Sequence, residues 1–233
     1  MWSIYEEEIR WKLSKKHMIS VIIPTLNEIS VIEKTLKRLR SCVKHELQII
    51  ISDGGSKDGT IEIGKKYADV VLVHDGSYRQ TIAMGRNEGA KKATGELLLF
   101  LDSDVLIPNP DLFFDELLVL FKNQKTIAVA VRIKVLPEYQ TFSDRIIFSL
   151  LAFSLFIQNN LLGFGGAPGE FQMIRRTVFE KLGGYRQDLA AGEDYEFFHR
   201  VSKKAGKTYY DWSLTVFHTG RRAMCGRKLD RLI

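Results

Sequence analysis

Short uninterrupted apolar runs alternate along the chain with stretches of helical spacing. The run Leu97-Leu98-Leu99-Phe100-Leu101 has no polar face, the habit of a central strand covered on both sides. Residues 19–23, 47–51 and 70–73 read the same way. Between them, residues 30–40 place Val31, Ile32, Leu36 and Leu39 at helical spacing, with Ser30 as the N-cap. A second helix runs on to Tyr67, and a third covers 80–93. Pro24 cannot donate to a ladder and is expected to end the first strand. Strands alternating with helices of this length predict an α/β fold with a parallel sheet and crossover helices.

After residue 104 the pattern changes. Pro108-Asn109-Pro110 opens a helix over 111–122, and residues 127–135 form a strand in which Arg132 and Lys134 alternate with Val131, Ile133 and Val135. Residues 171–175 and 214–217 read as further strands, the last presenting His218. Residues 193–204 form a helix with Phe197, Phe198 and Val201 inward. Residues 144–162 are apolar with only small polar breaks. That segment reads as too short to span a bilayer, hence as either a buried core helix or a helix lying in a membrane surface. Residues 1–17 form an amphipathic extension with Ile4, Ile9, Trp11 and Leu13 on one side. Residues 221–233 form a basic tail carrying Arg221, Arg222, Arg227, Lys228 and Arg231.

Composition narrows the class. At 233 residues, 45% apolar and 27% charged, the chain holds one large domain or one domain with elaborations, and its balance argues against disorder. A formal net charge of +6 suits an anionic ligand, an anionic membrane surface or nucleic acid, and does not choose among them. The two cysteines, Cys42 and Cys225, lie far apart without metal-type spacing, which points to a reducing compartment and no disulfide framework. The charged N-terminal segment does not resemble a signal peptide.

Candidate chemistry gathers at strand ends. Asp102 and Asp104 follow the buried run 97–101, so they lie at the carboxyl edge of a central strand, where open α/β sheets bind ligands. Two carboxylates one residue apart can face a single hard cation such as Mg²⁺ or Mn²⁺. On spacing alone they also read as an ordinary turn with capping acids. The turn Ser52-Asp53-Gly54-Gly55-Ser56-Lys57-Asp58-Gly59-Thr60 permits close backbone approach and suits a nucleotide, or serves as a simple strand-to-helix turn with Asp58 or Thr60 as cap. It is not a P-loop. Arg86 reaches a diphosphate or stays a solvated helix charge. The glycines flanking it, Gly85 and Gly89, weaken a helix unless something packs closely on them. Phe164-Gly165-Gly166-Ala167-Pro168-Gly169 reads as a flexible loop able to line a pocket. Glu193 and Asp194 either complement a helix N-terminus or place a carboxylate to take a proton.

Taken together, Val21-Ile22-Ile23-Pro24-Thr25-Leu26-Asn27-Glu28, the 52–60 turn, Arg86-Asn87-Glu88-Gly89, Leu101-Asp102-Ser103-Asp104 and Gly192-Glu193-Asp194 resemble the family 2 inverting glycosyltransferases. The resemblance covers residues 18–220. It implies a GT-A fold, with a Rossmann-like, mostly parallel central sheet flanked by helices. It divides the domain into a nucleotide-sugar half (18–107) and an acceptor half (108–220). It implies that Pro24, Thr25, Glu28 and Asp53 hold the base and ribose, with Arg86 and Asp58 near the base or diphosphate. Asp102 and Ser103 also fall to the nucleotide-sugar. Asp104 would ligate Mn²⁺ or Mg²⁺, with Asp102 beside it and His218 as a third ligand. Asp194 matches the catalytic base, while Gly165, Gly166 and Glu193 fall on the acceptor side.

The implied reaction moves one sugar from a nucleotide-diphospho-sugar, such as a UDP- or GDP-sugar, to a hydroxyl or phosphate acceptor with inversion. Its partners would be the nucleotide-sugar and the acceptor, not nucleic acid. No Gln-x-x-Arg-Trp follows residue 194, which argues against processive synthesis. The apolar segment and the basic tail point to a lipid-linked acceptor and to a cytoplasmic protein at the inner face of a membrane. Competing readings are a sugar-nucleotide-binding homologue without turnover and a haloacid-dehalogenase-like phosphatase. Against the phosphatase, the Asp-x-Asp pair follows a later strand rather than the first.

Overall fold

The computed structural model describes residues 19–189 and 191–220, so the N-terminal extension, the basic tail and Cys225 lie outside the described residues. One eight-stranded sheet runs through both halves of the chain, in the order β3-β2-β1-β4-β7-β6-β8-β5. Its first four strands in that order are β3 (Val70–Val73), β2 (Leu47–Asp53), β1 (Ile19–Thr25) and β4 (Leu97–Leu101), all mutually parallel. The remainder mixes directions. β7 (Phe171–Arg175) is antiparallel to β4 and to β6 (Thr126–Val135). β8 (Lys207–His218) is parallel to β6, and the two-residue β5 (Val105–Leu106) is antiparallel to β8.

The apolar runs explain this arrangement. Along β4, Leu97, Leu99 and Leu101 enter one core while Leu98 and Phe100 enter the other. Burying each such side chain contributes about 1.5–3 kcal/mol. Helices α1 (Ile29–Arg40), α2 (Thr60–Tyr67) and α4 (Pro110–Lys122) follow β1, β2 and β5 in the chain. On the opposite core lie α3 (Ile82–Ala90), α6 (Arg176–Lys181) and α7 (Glu193–Lys204), contributing Ala83, Phe179 and Phe197.

Three expectations are corrected. β1 does not stop at Pro24. The Thr25 carbonyl accepts the Gly54 N–H at 2.8 Å on the β2 side, so Pro24 faces the β4 side, where pairing ends at Ile22. The missing proline donor therefore interrupts nothing. Ser30 is not the N-cap of α1. Glu28 holds that position, and its N–H and that of Ile29 go to Thr60 and Asp58 on the neighbouring loop.

The third correction concerns α5 (Phe142–Phe156), which continues as a π-helical turn, Ile157–Leu162. Thr141 starts it with a capping box to Asp144. The continuous helix Phe142–Leu162 has 21 residues and holds an 18-residue window of mean hydropathy 1.4, long and apolar enough to cross a membrane by length and composition. It is not a core helix, because only 17% of that window is buried.

Candidate active site

Two loops at the carboxyl ends of β1 and β2 knit into one ledge. The fully buried Asp53 carboxylate accepts from the Thr25 hydroxyl (2.7 Å), the Ser56 hydroxyl (2.7 Å) and the N–H groups of Gly55 and Ser56 (2.9 and 2.6 Å). Four donors satisfy a charge that would otherwise be costly to bury. Asn27, at φ 54 the one described non-glycine with positive φ, accepts from the Lys57 N–H at 3.0 Å, and its own N–H reaches the Ser56 hydroxyl at 2.7 Å. Asp58 binds the N–H of both Thr60 and Ile29, with Gly59 at the cap position itself. Its hydrogen bond from the Thr60 hydroxyl, and then those backbone donors, hold its carboxyl below the usual range. Asp53 and Asp58 thus organise the ledge, while Pro24 and Glu28 sit half-buried along it.

Behind the ledge, α3 delivers Arg86, only 1% exposed, into the centre of the molecule. Gly89 makes this possible. A Cβ there would lie 2.4 Å from Ile22 Cγ2, so the helix packs directly on β1. Arg86 is therefore no solvated helix charge. Its guanidinium donates to Asp102 Oδ1 (3.1 Å), Glu193 Oε1 (3.0 Å) and the Gly169 carbonyl (2.8 Å). Its plane lies over the Tyr185 ring at 5.3 Å. Burial opposes the charge, but Asp102, Glu193 and Asp194 outweigh it and the pKa moves upward.

Asp194 belongs to the same cluster. A Cβ built on Gly169 would stand 2.8 Å from both Arg86 Nη2 and Asp194 Oδ2. Asp194 is half-buried at the start of α7, its Oδ1 accepting the Tyr195 N–H at 2.7 Å. The carboxylates of positions 102, 193 and 194 thus gather around one guanidinium.

The acidic turn closes tightly, with the Val105 N–H donating to the Asp102 carbonyl at 3.2 Å. Ser103 is buried, and its carbonyl is taken by Thr35. Asp104 points toward the end of β8, where its Oδ2 accepts from the Thr219 hydroxyl. His218 pairs with Val105 across the β5–β8 ladder, and its Nδ1 accepts the Gly220 N–H at 3.2 Å. Among the described residues no three His, Cys, Asp or Glu side chains converge as a ready metal cluster. The donor set nevertheless suits a hard divalent cation: Asp104 and His218 meet at one sheet end, with Asp102 on the same turn. A cation there would take its remaining ligands from substrate phosphates and water.

The loop residues are redistributed. Gly165 and Gly166 sit hard against α7. A Cβ at Gly165 would meet the Phe198 carbonyl oxygen at 2.3 Å, and one at Gly166 would meet Tyr195 at 2.7 Å, because the loop is pressed onto α7. Asn159 pins it further, accepting the Gly166 N–H and donating to its carbonyl. The glycine that faces the acids is Gly169. Glu193 is held by Arg86 at 3.0 Å. Sequence reasoning placed Gly169 in a pocket-lining loop without a role beside Asp194, and missed Gln172 and Tyr185. The Tyr185 hydroxyl donates to Gln172 at 2.6 Å, and Gln172 donates to the Asp194 carbonyl at 3.2 Å, fixing the start of α7. Burial pushes the Tyr185 hydroxyl well above its ordinary pKa, so it remains a donor.

The chain belongs to glycosyl transferase family 2, whose family profile matches residues 20–183. The succinoglycan biosynthesis protein ExoA of Rhizobium meliloti is 29% identical over 203 residues, covering 78% of this chain and 57% of that protein. Among solved structures, the mannosyltransferase PcManGT from Pyrobaculum calidifontis, in complex with GDP-Man and Mn²⁺, superposes with a TM-score of 0.68 at 20% identity. It covers 92% of this chain and 63% of that one. Glucosyl-3-phosphoglycerate synthase from Mycobacterium tuberculosis, with Mn²⁺, UDP-glucose and phosphoglyceric acid, gives 0.59 at 19% identity, covering 93% and 76%. These likenesses establish the GT-A fold, and the chain spans less than two thirds of the length of the first two relatives.

Proposed function

We propose that this chain is the transferase domain of a metal-dependent, inverting and non-processive enzyme. It moves one sugar from a nucleotide-diphospho-sugar to a hydroxyl or phosphate acceptor. The observation that carries this reading is the clustering of Asp102 and Asp194 around Arg86 at the carboxyl edge of the sheet. Family membership and the GDP-Man and UDP-glucose held by neighbours of the same fold support it.

In this reading the ledge of residues 24–28 and 53–60 receives the nucleoside. Its backbone is already fixed by Asp53 and Asp58, which lowers the ordering cost of binding. Asp104, with Asp102 and His218 beside it, would hold Mn²⁺ or Mg²⁺, which when bound neutralises the leaving diphosphate. Asp194 takes the proton from the acceptor hydroxyl as the anomeric carbon is attacked from the opposite face. Arg86 keeps the three carboxylates together without being consumed in the reaction, so it is a positioning residue.

A thermal-shift panel of UDP, GDP and dTDP, each with and without Mn²⁺, tests the donor half, because a ligand bound only to the folded chain raises its unfolding temperature. One nucleotide is expected to stabilise the chain only with the cation, and to lose that effect in Asp104→Asn. No shift with any nucleotide would overturn the reading.

A further inference from the structure

The transferase reading leaves two features unexplained, and they adjoin each other. The first is a pocket of about 220 Å³ lined by Arg132, Lys134, Gln140, Arg145, Phe148 and Ser149. Arg132 and Lys134 project from the same side of β6, and Arg145 comes from the first turn of α5. Among the described residues none of the three cations is in an ion pair. Partial burial, then the charges of Arg132 and Arg145, hold the Lys134 ammonium below the usual lysine range. Like charges crowded in this way favour an anion among them.

The second feature is the apolar face of α5. Phe142, Ile147, Leu150 and Phe153 are 76, 58, 64 and 57% exposed. A soluble anion would use the pocket and leave this face in water. A phosphate attached to hydrocarbon would use both, which is the complementarity of a membrane lipid.

The pocket also adjoins the candidate active site. Phe148 lines it and packs on the His218 ring at 5.1 Å, while Thr219 next to that histidine donates to Asp104. Phe148 thus lies between the cations and His218, whose neighbour Thr219 reaches the acidic turn.

We propose that the Arg132–Lys134–Arg145 pocket binds the phosphate group of a membrane lipid on the acceptor side of the site, with the exposed face of α5 set into the hydrocarbon beside it. This deepens the transferase reading, and the acceptor role of the lipid rests on it.

Vesicle sedimentation tests the proposal. The full chain is mixed with vesicles of phosphatidylcholine alone, or containing about one fifth phosphatidic acid, a phosphomonoester lipid. The chain is expected to sediment with the phosphatidic acid vesicles, and about a hundredfold more weakly when Arg132→Gln, Lys134→Gln and Arg145→Gln are combined. The single exposed change Arg145→Gln weakens binding in the same direction if the triple variant fails to fold. Ile147→Ser with Leu150→Ser also weakens it. Lys34→Gln, Lys65→Gln and Lys66→Gln, which remove the same charge from the α1–α2 face, leave it intact.

Equal binding by the pocket and control variants would overturn the pocket. So would thermal stabilisation by inorganic phosphate through these three residues without vesicle binding, which would mark a free-phosphate site. Absence of vesicle binding overturns the proposal outright. Nucleotide thermal shifts on the same proteins separate this failure from failure of the transferase reading, because they do not involve the lipid.

Discussion

Arg86 and Asp102 form an ion pair at 3.1 Å, with the arginine side chain 1% and the aspartate 14% exposed. The pair joins the helix after β3 to the turn after β4, and Glu193 on α7 completes it from the other half of the chain. The carboxylate turn and the start of the helix that carries the proposed base are therefore tied together through one buried cation.

Removing that cation leaves the carboxylates of Asp102, Glu193 and Asp194 facing one another in a low-dielectric site. Arg86→Met is expected to lower unfolding free energy by about 3–5 kcal/mol, the range for breaking a buried charge pair from one side. Urea unfolding monitors this as a lower midpoint at unchanged slope. A loss under about 1 kcal/mol would show that the cluster does not bear on stability.

Gly169→Ala places a methyl group 2.8 Å from both Arg86 Nη2 and Asp194 Oδ2, so one of them must move. Displacing a reacting group by about 1 Å costs roughly 100-fold in turnover. Steady-state kinetics should show that loss in kcat, with nucleotide affinity nearly unchanged. Equal activity would place Asp194 away from the chemistry.

Gly89→Ala drives its methyl into Ile22 at 2.4 Å and is expected to destabilise by about 1–3 kcal/mol, the cost of overpacking. Gly85→Ala meets its nearest neighbours only at 3.4 Å and should cost less. Thermal unfolding of both variants checks the order, and a reversed order would contradict the close packing of α3 on β1.

Burial, followed by the Asp111 carboxylate that accepts from Sγ at 3.2 Å, pushes the Cys42 thiol up to about 11. In a Cys225→Ser chain, alkylation by iodoacetamide near pH 8 is expected to be about a hundredfold slower than for a free thiol of ordinary pKa, because only thiolate reacts. The rate should climb until about pH 11. The folded thiol holds its proton more tightly than the unfolded one, so its contribution to stability is present below pH 9.0 and is lost as pH rises toward 11. A rate that levels off near pH 9 would show the thiol to be unshifted.

The sheet's first half was legible because its strands are apolar runs broken only by Ser20 and Gln48, and Asp102 and Asp104 mark where β4 must end. Gly89 was legible for a similar reason, since a helix tolerates glycine where something presses on it. The mixed half was harder. β5 has two residues, and the polar start of β8 hides a strand whose pairing partner β6 is distant in sequence. Arg86 remained ambiguous because its burial depends on Gly169 and Glu193, contacts that no local pattern encodes. For the same reason nothing in the loop 164–169 singled out Gly169 as the glycine beside Arg86 and Asp194. The apolar spacing of α5 was visible, but its exposure was not, because only tertiary structure shows what fails to cover a helix.

Nucleoside diphosphate release by the Asp194→Asn chain, measured beside nucleotide-sugar affinity with Mn²⁺ present, separates the proton transfer from donor binding. Release is expected to fall by about 100-fold or more, the scale of a lost general base, while the donor still binds with the affinity of the parent chain. Release at the parent rate, with donor binding intact, would contradict the role of Asp194 as that base.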